Sequence, residues 1–433
     1  MEKGEERSFV SETVKDRPIN KRKLFRKTMT TVIFAMVFGL IACLTFILLE
    51  PVVNGIINPE EITRVEFPEE ETLPEQILTE ESVAEREESI QEVVEAAKEV
   101  VESGQVKTSS VDTYAQMYSD FQKYAKESEK MMVAVIGISE QPDWFQGVTE
   151  NENVTSGLIV AENGVEILVL ADANNMSDAK EYHVRFCDKK LVDAKLKEKD
   201  TQTGLAIYAV RLSDMEKSTK ESIRIATLGN STSDSIVGNP VLAIGSPYGM
   251  VGSLTYGIIT SNTKKMSVDD AVYSLLFTDM DMADNASGVI VNLEGDVIGV
   301  LAQSLQNFNS AKTASALGIS DIKTLIAKLS NDEKRAYVGI KGMDVTEEVN
   351  RESGVPYGVY VSEVITESPA MRAGILNGDV IVGIAGHTVT SFREFRAGVF
   401  SVQPGAMVEI RLMRFNGEEY KELKMDITTG EAQ

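Results

Sequence analysis

The sequence predicts a mainly β chain of two or three domains. Three observations lead there. Between Met131 and Gly318, short runs of Val, Ile and Leu follow one another, broken by Gly, Asn and Ser, with no long helical period between them. From Arg335 onward the character of the sequence changes, which marks a second folded unit. The 433 residues are enough for both units to bury a core of their own.

The elements follow in order. Residues 1–27 are polar and end in a basic cluster, Lys21, Arg22, Lys23, Arg26 and Lys27. Thr28 to Leu49 follows, 22 residues without a charge and long enough to cross a bilayer as a helix. Basic residues before it and acidic ones after it place the N-terminus in the cytoplasm. The run is long for a cleaved signal sequence, and it stays apolar from Leu44 to Leu49 after Cys43, unlike a lipoprotein leader. Residues 50–108 read as an acidic stalk. From Asn58 to Gly104 there are sixteen Glu and three basic residues, more than half of the net charge of -24. Its first part, Asn58 to Leu78, reads as an extended, charge-repelled spacer. Its second part, Thr79 to Ser103, is helical in character. Val83, Ile90, Val93, Ala97 and Val100 fall in one heptad frame with Arg86 as a defect, which fits a solvated helix better than a coiled coil.

Val111 to Lys130 is an amphipathic helical stretch that leads into the strand MMVAVIGI. SGLIVAENGVEILVL, YHVRF, LAIYAV, NPVLAIGSPYG and GIITSN then read as strands of an all-β barrel or sandwich. TDMDMADNASGVIVNLEGDVIGV, from Thr278 to Val300, holds a loop of small and acidic residues followed by a hairpin around Glu294-Gly295. Ser320 to Leu329 reads as a short helix with Ser320 at its N-cap. The boundaries expected are 109–330 for the β domain and 331–430 for the last domain.

Composition excludes several functions. The acidic balance argues against a nucleic-acid partner, because phosphate binding needs a basic surface. Cys43 and Cys187 with His183 and His387 are the only cysteines and histidines, so no disulfide framework or zinc site is expected, and no cofactor motif is present.

The 278–300 stretch resembles the nucleophile loop of trypsin-like serine proteases of the HtrA (DegP) family, T-D-x-x-I-N-x-G-N-S-G-G-P-L-V-N. GNPVLAIGSPYG and Gly257 to Ser261 resemble other segments of that family. GVYVSEVITESPAMRAGILNGDVIVGIAGHTVTS, after Tyr337-Val338-Gly339-Ile340, resembles a PDZ domain. The resemblance implies a chymotrypsin-like double β-barrel followed by an α+β PDZ domain, in a homotrimer at a bacterial cell surface. It also implies a triad, which is checked at each position. Where the family has its histidine, Gly164 to Asp172 offers Asp172, or Ala171 in a second alignment. Asp200 to Ile207 places Gly204 at the orienting aspartate. Counting forward from Thr278 puts Ser287 at the nucleophile; counting back from Asn292 puts Ala286 there. Asn285, two before Ser287, is expected to hold the left-handed turn in place of glycine. A serine without an adjacent base is a poor nucleophile, so the expected protein is a membrane-anchored protease homologue without catalysis. The alternative is an active serine endopeptidase with an unconventional site. The remaining function is peptide binding. Backbone amides of Tyr337, Val338, Gly339 and Ile340 are expected to hold the carboxylate of ligands with apolar C-termini, or unfolded segments, by β-augmentation.

Overall fold

The computed structural model of the chain describes residues 25–26, 29–32, 34–41, 45, 62–68, 110–143, 147–176, 179–302, 305 and 313–432. They divide into two compact units, Met1–Glu61 and Ile62–Gln433. In the first unit, residues 34–41 are helical. Among the described residues no helix is long and apolar enough to cross a membrane. Only part of the run Thr28 to Leu49 is described; nearly all of residues 1–27, Cys43 and the heptad positions from Val83 to Val100 lie outside the described residues.

In the second unit, helix α1 (Ser110–Glu129) turns Tyr118, Phe121, Ala125 and Ser128 to one face. That spacing is the helical period read from the sequence. The Phe121 ring stacks on Tyr256 at 5.4 Å, and Tyr118 meets the same ring edge-on at 5.5 Å. Six strands then close a barrel in the order β1-β2-β3-β6-β5-β4: β1 (Met132–Asp143), β2 (Gly147–Glu162), β3 (Glu166–Asp172), β4 (Glu181–Arg185), β5 (Leu191–Lys199) and β6 (Leu205–Arg211).

The continuous apolar runs in β3 and β6 have a physical cause. Ile167, Val169 and Ala171 of β3 fill the barrel interior with Ala206, Tyr208 and Val210 of β6. Leu168, Leu170, Leu205, Ile207 and Ala209 join a second core outside it. Successive residues point to opposite faces, and both faces are covered, so no polar residue is tolerated on either. Each Val, Leu or Ile among them, fully buried, contributes roughly 1.5–3 kcal/mol.

The second barrel follows the same logic. Its strands are β7 (Pro240–Ser246), β8 (Ser253–Ser261), β9 (Lys265–Val268), β10 (Ala271–Asp281), β11 (Ser287–Val291), β12 (Val297–Leu301) and β13 (Thr313–Gly318). The order is β13-β12-β11-β7-β8-β10, closed by pairing of β13 with β10; β9 pairs with β10 outside the ring. Val241 and Ala243 point into this barrel, while Leu242 and Ile244 join the outer core. The β9–β10 hairpin turns on two residues, Asp269 and Asp270, with Asp270 at φ 60°. Helix α2 (Ile319–Ser330) leaves the barrel. Gly318 and not Ser320 stands at its N-cap. The Ser320 hydroxyl instead accepts a hydrogen bond from the Ser231 amide at 2.8 Å, because Ser320 lies in the first turn and faces that loop.

The last domain has a six-strand sheet, β15-β16-β17-β19-β20 with β18 beside β17, and a short β14–β21 pair. Its strands are β14 (Ala336–Tyr337), β15 (Ile340–Asp344), β16 (Val359–Val364), β17 (Val380–Ile384), β18 (His387–Thr388, on β17), β19 (Met407–Phe415), β20 (Tyr420–Thr428) and β21 (Gly430–Glu431). Three helices cover it, α3 (Glu347–Ser353), α4 (Pro369–Ala373) and α5 (Phe392–Ser401). The S-P-A-x-x-A-G motif is a helix with its own stop signals. Ser368 caps α4 by accepting from the Met371 amide, Pro369 occupies the first turn, and Gly374 ends it at φ 85°. Asp379 of the Gly-Asp pair is buried and takes two bonds from Arg414 at 2.7 Å.

One expectation changes. The spacer of residues 58–78 is not free of the folded body throughout, for residues 62–68 lie on it. Asn331, the C-cap of α2, accepts from the Val65 amide at 3.0 Å and donates to its carbonyl at 2.8 Å. The Thr63 amide donates to the Asn163 carbonyl, and Val65 is buried. A side-chain amide supplies both halves of a strand-like pairing, and with burial of a valine this outweighs local charge repulsion.

Candidate functional site

Of the residues aligned with a catalytic triad, Ser287 lies where the two barrels meet, while Asp172 and Gly204 lie in the first barrel, at the end of β3 and just before β6. Asp172 ends β3, opposite Leu205 of β6, and is buried. Its Oδ1 accepts from the Asn174 amide at 2.9 Å, so the carboxylate caps the turn that follows β3. Gly204 sits at φ 78°, and its carbonyl accepts from the Ala173 amide at 2.8 Å. A Cβ built on Gly204 would run into the side-chain amide of Asn174. The residue facing Gly204 is therefore Asn174, and not Asp172 or Ala171. Both histidines of the chain are engaged elsewhere or exposed. His183 lies on β4 with Nδ1 2.9 Å from Asp193 Oδ1 on β5, and His387 is exposed in β18. His183 is half-buried and paired with Asp193.

Ser287 is the first residue of β11, paired with Ser246 of β7, and 3% exposed. Its Oγ accepts from the backbone amide of Ser156 on β2 at 3.0 Å, beside a Ser156–Ser246 hydroxyl contact of 2.9 Å. The left-handed residue of this loop is Gly288, at φ 125°; Asn285 does not adopt a positive φ as expected. Asn285 instead packs its side chain over Gly249, and the Ala283 amide donates to the Pro247 carbonyl at 2.9 Å. A Cβ on Gly288 would run into the Ile244 carbonyl, which accounts for the glycine that follows Ser287.

The second group of residues forms the loop between β14 and β15. The amides of Val338, Gly339 and Ile340 converge on one point, and a carboxylate is already there. Asp270 Oδ2 accepts from Val338 at 2.7 Å and Gly339 at 2.9 Å, and Oδ1 from Gly339 at 2.9 Å and Ile340 at 3.0 Å. The Asp270 amide donates in return to the Ile340 carbonyl at 2.8 Å. Gly339 is at φ 90°, and a Cβ there would run into Ser368 behind the loop. Tyr337 brings its hydroxyl close to Gly339 and gives no amide to Asp270. Burial pushes the Asp270 carboxyl up to about 6, against the pull of the three amides and of Arg335. Burial, with Asp269 and Asp270 nearby, raises the Tyr337 hydroxyl to about 12.

Ionic contacts fix the two domains around this point. Arg335 Nη2 lies 3.1 Å from Asp200 Oδ1, both side chains being almost fully buried, and the guanidinium stands 5.7 Å from the Phe400 ring. Their separation makes this an ion pair, although the guanidinium N–H groups are not aimed for hydrogen bonds. Asp200 also accepts from the Thr203 amide and hydroxyl, at 2.9 and 2.7 Å, which shapes the turn holding Gly204. Arg396 of α5 donates to the Val272 carbonyl at 3.0 Å and to Asp321 at 3.2 Å. Burial works to raise the Asp321 carboxyl, but Arg396 and the Ser274 amide outweigh it and hold it below the usual carboxylate range.

Two residues in these sites escape the sequence. Asn174 carries no signal beyond its place after a strand. Asp270 shows only as part of an Asp-Asp hairpin turn, with its partners 68 to 70 residues away.

The trypsin-like peptidase domain family matches residues 155–300, and the PDZ domain family matches residues 329–428. A probable periplasmic serine endoprotease DegP-like of Halomonas elongata is 31% identical over 286 residues, covering 64% of this chain and 57% of that protein. A serine protease HtrA-like of Staphylococcus aureus is 26% identical over 310 residues, 67% of this chain and 39% of that protein. The chain thus spans less than two thirds of the length of these relatives. Among solved structures, the HtrA-type protease AlgW with a decapeptide superposes at a TM-score of 0.51 with 21% identity, over 72% of this chain and 99% of that one. AlgW with a tripeptide gives 0.52 and 21%, over 72% and 97%. These two likenesses concern the fold.

Proposed function

The chain belongs to the HtrA-like family, in which a trypsin-like peptidase domain precedes a PDZ domain, and from that premise we propose that it works by binding and not by cleavage. In this reading it is a peptide- and protein-binding scaffold or regulator with a vestigial peptidase site. The observation that carries it is the contact between Gly204 and Asn174. In the family an aspartate and a histidine face each other to orient and charge the base. Here a glycine faces an amide, which takes no proton at neutral pH and offers none of the imidazole chemistry. The Ser287 hydroxyl supports the same reading, since it is buried and occupied by the Ser156 amide. We place Ala286 at the nucleophile position, because Ser287 is already a paired strand residue.

A fluorophosphonate probe applied to the detergent-solubilised full chain is expected to leave Ser287 unlabelled. Unfolded casein should stay intact, and Ser287→Ala should change neither result. Without a working triad at most about 10^3- to 10^4-fold catalysis over water remains. Labelling that disappears in Ser287→Ala would establish the active endopeptidase instead.

The binding site of this reading is the Val338–Ile340 amide loop, which takes the free carboxylate of a peptide ending in an apolar residue while the peptide adds to β15 as a strand. Strand addition at a single exposed groove gives affinities on the order of micromolar. The same proposal places the folded body outside the cell membrane, with Thr28–Leu49 as its anchor. In intact spheroplasts, external protease should then digest the PDZ domain and spare a tag at residue 1; a protected PDZ domain would overturn the placement.

A further inference from the structure

We propose that the β9–β10 hairpin is an internal ligand of the PDZ domain, its Asp270 carboxylate taking the place of a peptide C-terminus, so that a free peptide binds only when the hairpin is displaced. The inference rests on the peptide-binding reading above and adds the regulation of that site.

Four observations carry it. The three amides that would receive a terminal carboxylate are all spent on Asp270, which is 2% exposed. The Asp270 amide bonds to the Ile340 carbonyl, so backbone as well as side chain imitates an added strand. At the far end of β15, Lys265 of β9 holds Asp344 with Nζ 2.9 Å from Oδ2. On the helix side, Arg396 of α5 caps the Val272 carbonyl and stands 5.3 Å from the Tyr273 ring, both residues belonging to β10. The hairpin therefore contacts the carboxylate loop, β15 and α5, the three elements that would border a bound peptide.

A second carboxylate cannot share the cup. Two like charges within hydrogen-bond reach of the same three amides repel, and the site is too enclosed for water to screen them. The charged and titratable groups near Asp270 reinforce this. Arg335 is the cation on the linker side, and it is already paired with Asp200. Asp269 and the Tyr337 hydroxyl lie beside it, and Lys341 is drawn toward Asp269 at 4.0 Å and Glu363 at 3.2 Å. From α5, Arg396 is committed to Asp321 and Val272.

The test uses the full chain and two variants that accept φ 60° at position 270, Asp270→Gly and Asp270→Asn. Amide hydrogen exchange at Val338, Gly339 and Ile340 is read first, without ligand. Binding of a fluorescein-labelled decapeptide ending in a free phenylalanine carboxylate is read second, beside its C-amidated form. Exchange at the three amides should rise at least tenfold in Asp270→Gly, and the free-ended peptide should bind it at least tenfold more tightly than the parent. Asp270→Asn should fall between them, and the amidated peptide should bind none. Lys265→Glu loosens the hairpin from its exposed side and should move both readouts in the same direction. Unchanged exchange, or equal affinity in parent and variants, would overturn the internal ligand while leaving the peptide-binding reading in place. Raised exchange with no peptide bound by any form would instead bring down the peptide-binding reading, and this inference with it.

Discussion

Arg335→Leu should lose about 3–5 kcal/mol of stability, since breaking a buried ion pair leaves the other charge without compensation. Arg335 and Asp200 are both almost fully inside the body, and Asp200 retains its bonds to Thr203 when the guanidinium is gone. The leucine also forfeits the contact with the Phe400 ring. In a folded unit of this size that loss lowers the thermal midpoint by roughly 5 °C. Because Arg335 lies in the linker before β14, calorimetry should further resolve the single transition into two, barrels and PDZ domain melting apart. The double variant Arg335→Leu with Asp200→Asn should recover most of the loss, because a neutral amide is far cheaper to bury than a lone carboxylate. A single variant within about 1 kcal/mol of the parent would show that water reaches this pair.

Acidification from pH 7.5 to 5 should weaken binding of a free-ended peptide by about tenfold, a one-unit proton linkage. The sign follows from the Asp270 carboxyl, which burial raises to about 6 when the hairpin is seated. Released, the same group returns to the ordinary carboxylate range near 4. Between those values the seated form holds a proton that the released form does not, so acid favours the seated hairpin and alkali its release. Burying the ionised carboxylate is a cost present above about 6 and removed below it. The α-carboxylate of the peptide stays ionised throughout that window. Asp270→Gly should bind the peptide equally at both pH values. A pH slope that survives in Asp270→Gly would assign the effect to another group.

Much of the architecture is legible in the residues, and the reasons are specific. β3 and β6 read as strands because they are covered on both faces, which leaves an unbroken apolar run. The PDZ motif reads clearly because each of its residues acts on its near neighbours. Ser368 starts a helix, Gly374 stops it, and Asp379 accepts from the Leu376 amide three residues before it. The register after β3 is harder to read. Ile167-Leu168 and Val169-Leu170 are offset by two, the period of a strand, so a shift from one pair to the other keeps every residue on its face. Only the contact with Gly204 selects Asn174. Forward and backward counts reach different residues at Ser287 and Ala286, and the strand pairing that begins at Ser287 is invisible in sequence. Asp270 is unreadable for another reason: its function lies in three amides of a different domain, and amides have no sequence signature.

Because the hairpin belongs to the same chain as its groove, it can never be diluted away. A tethered competitor acts at an effective concentration on the order of millimolar, whatever the abundance of the protein. A lone peptide of micromolar affinity and micromolar supply meets that competitor at a disadvantage. The groove is consequently set to ignore stray ends from ordinary turnover and to answer when free C-termini accumulate or arrive several to a particle. Its response is a lowered apparent affinity, set by the fraction of molecules in which the hairpin has left the groove.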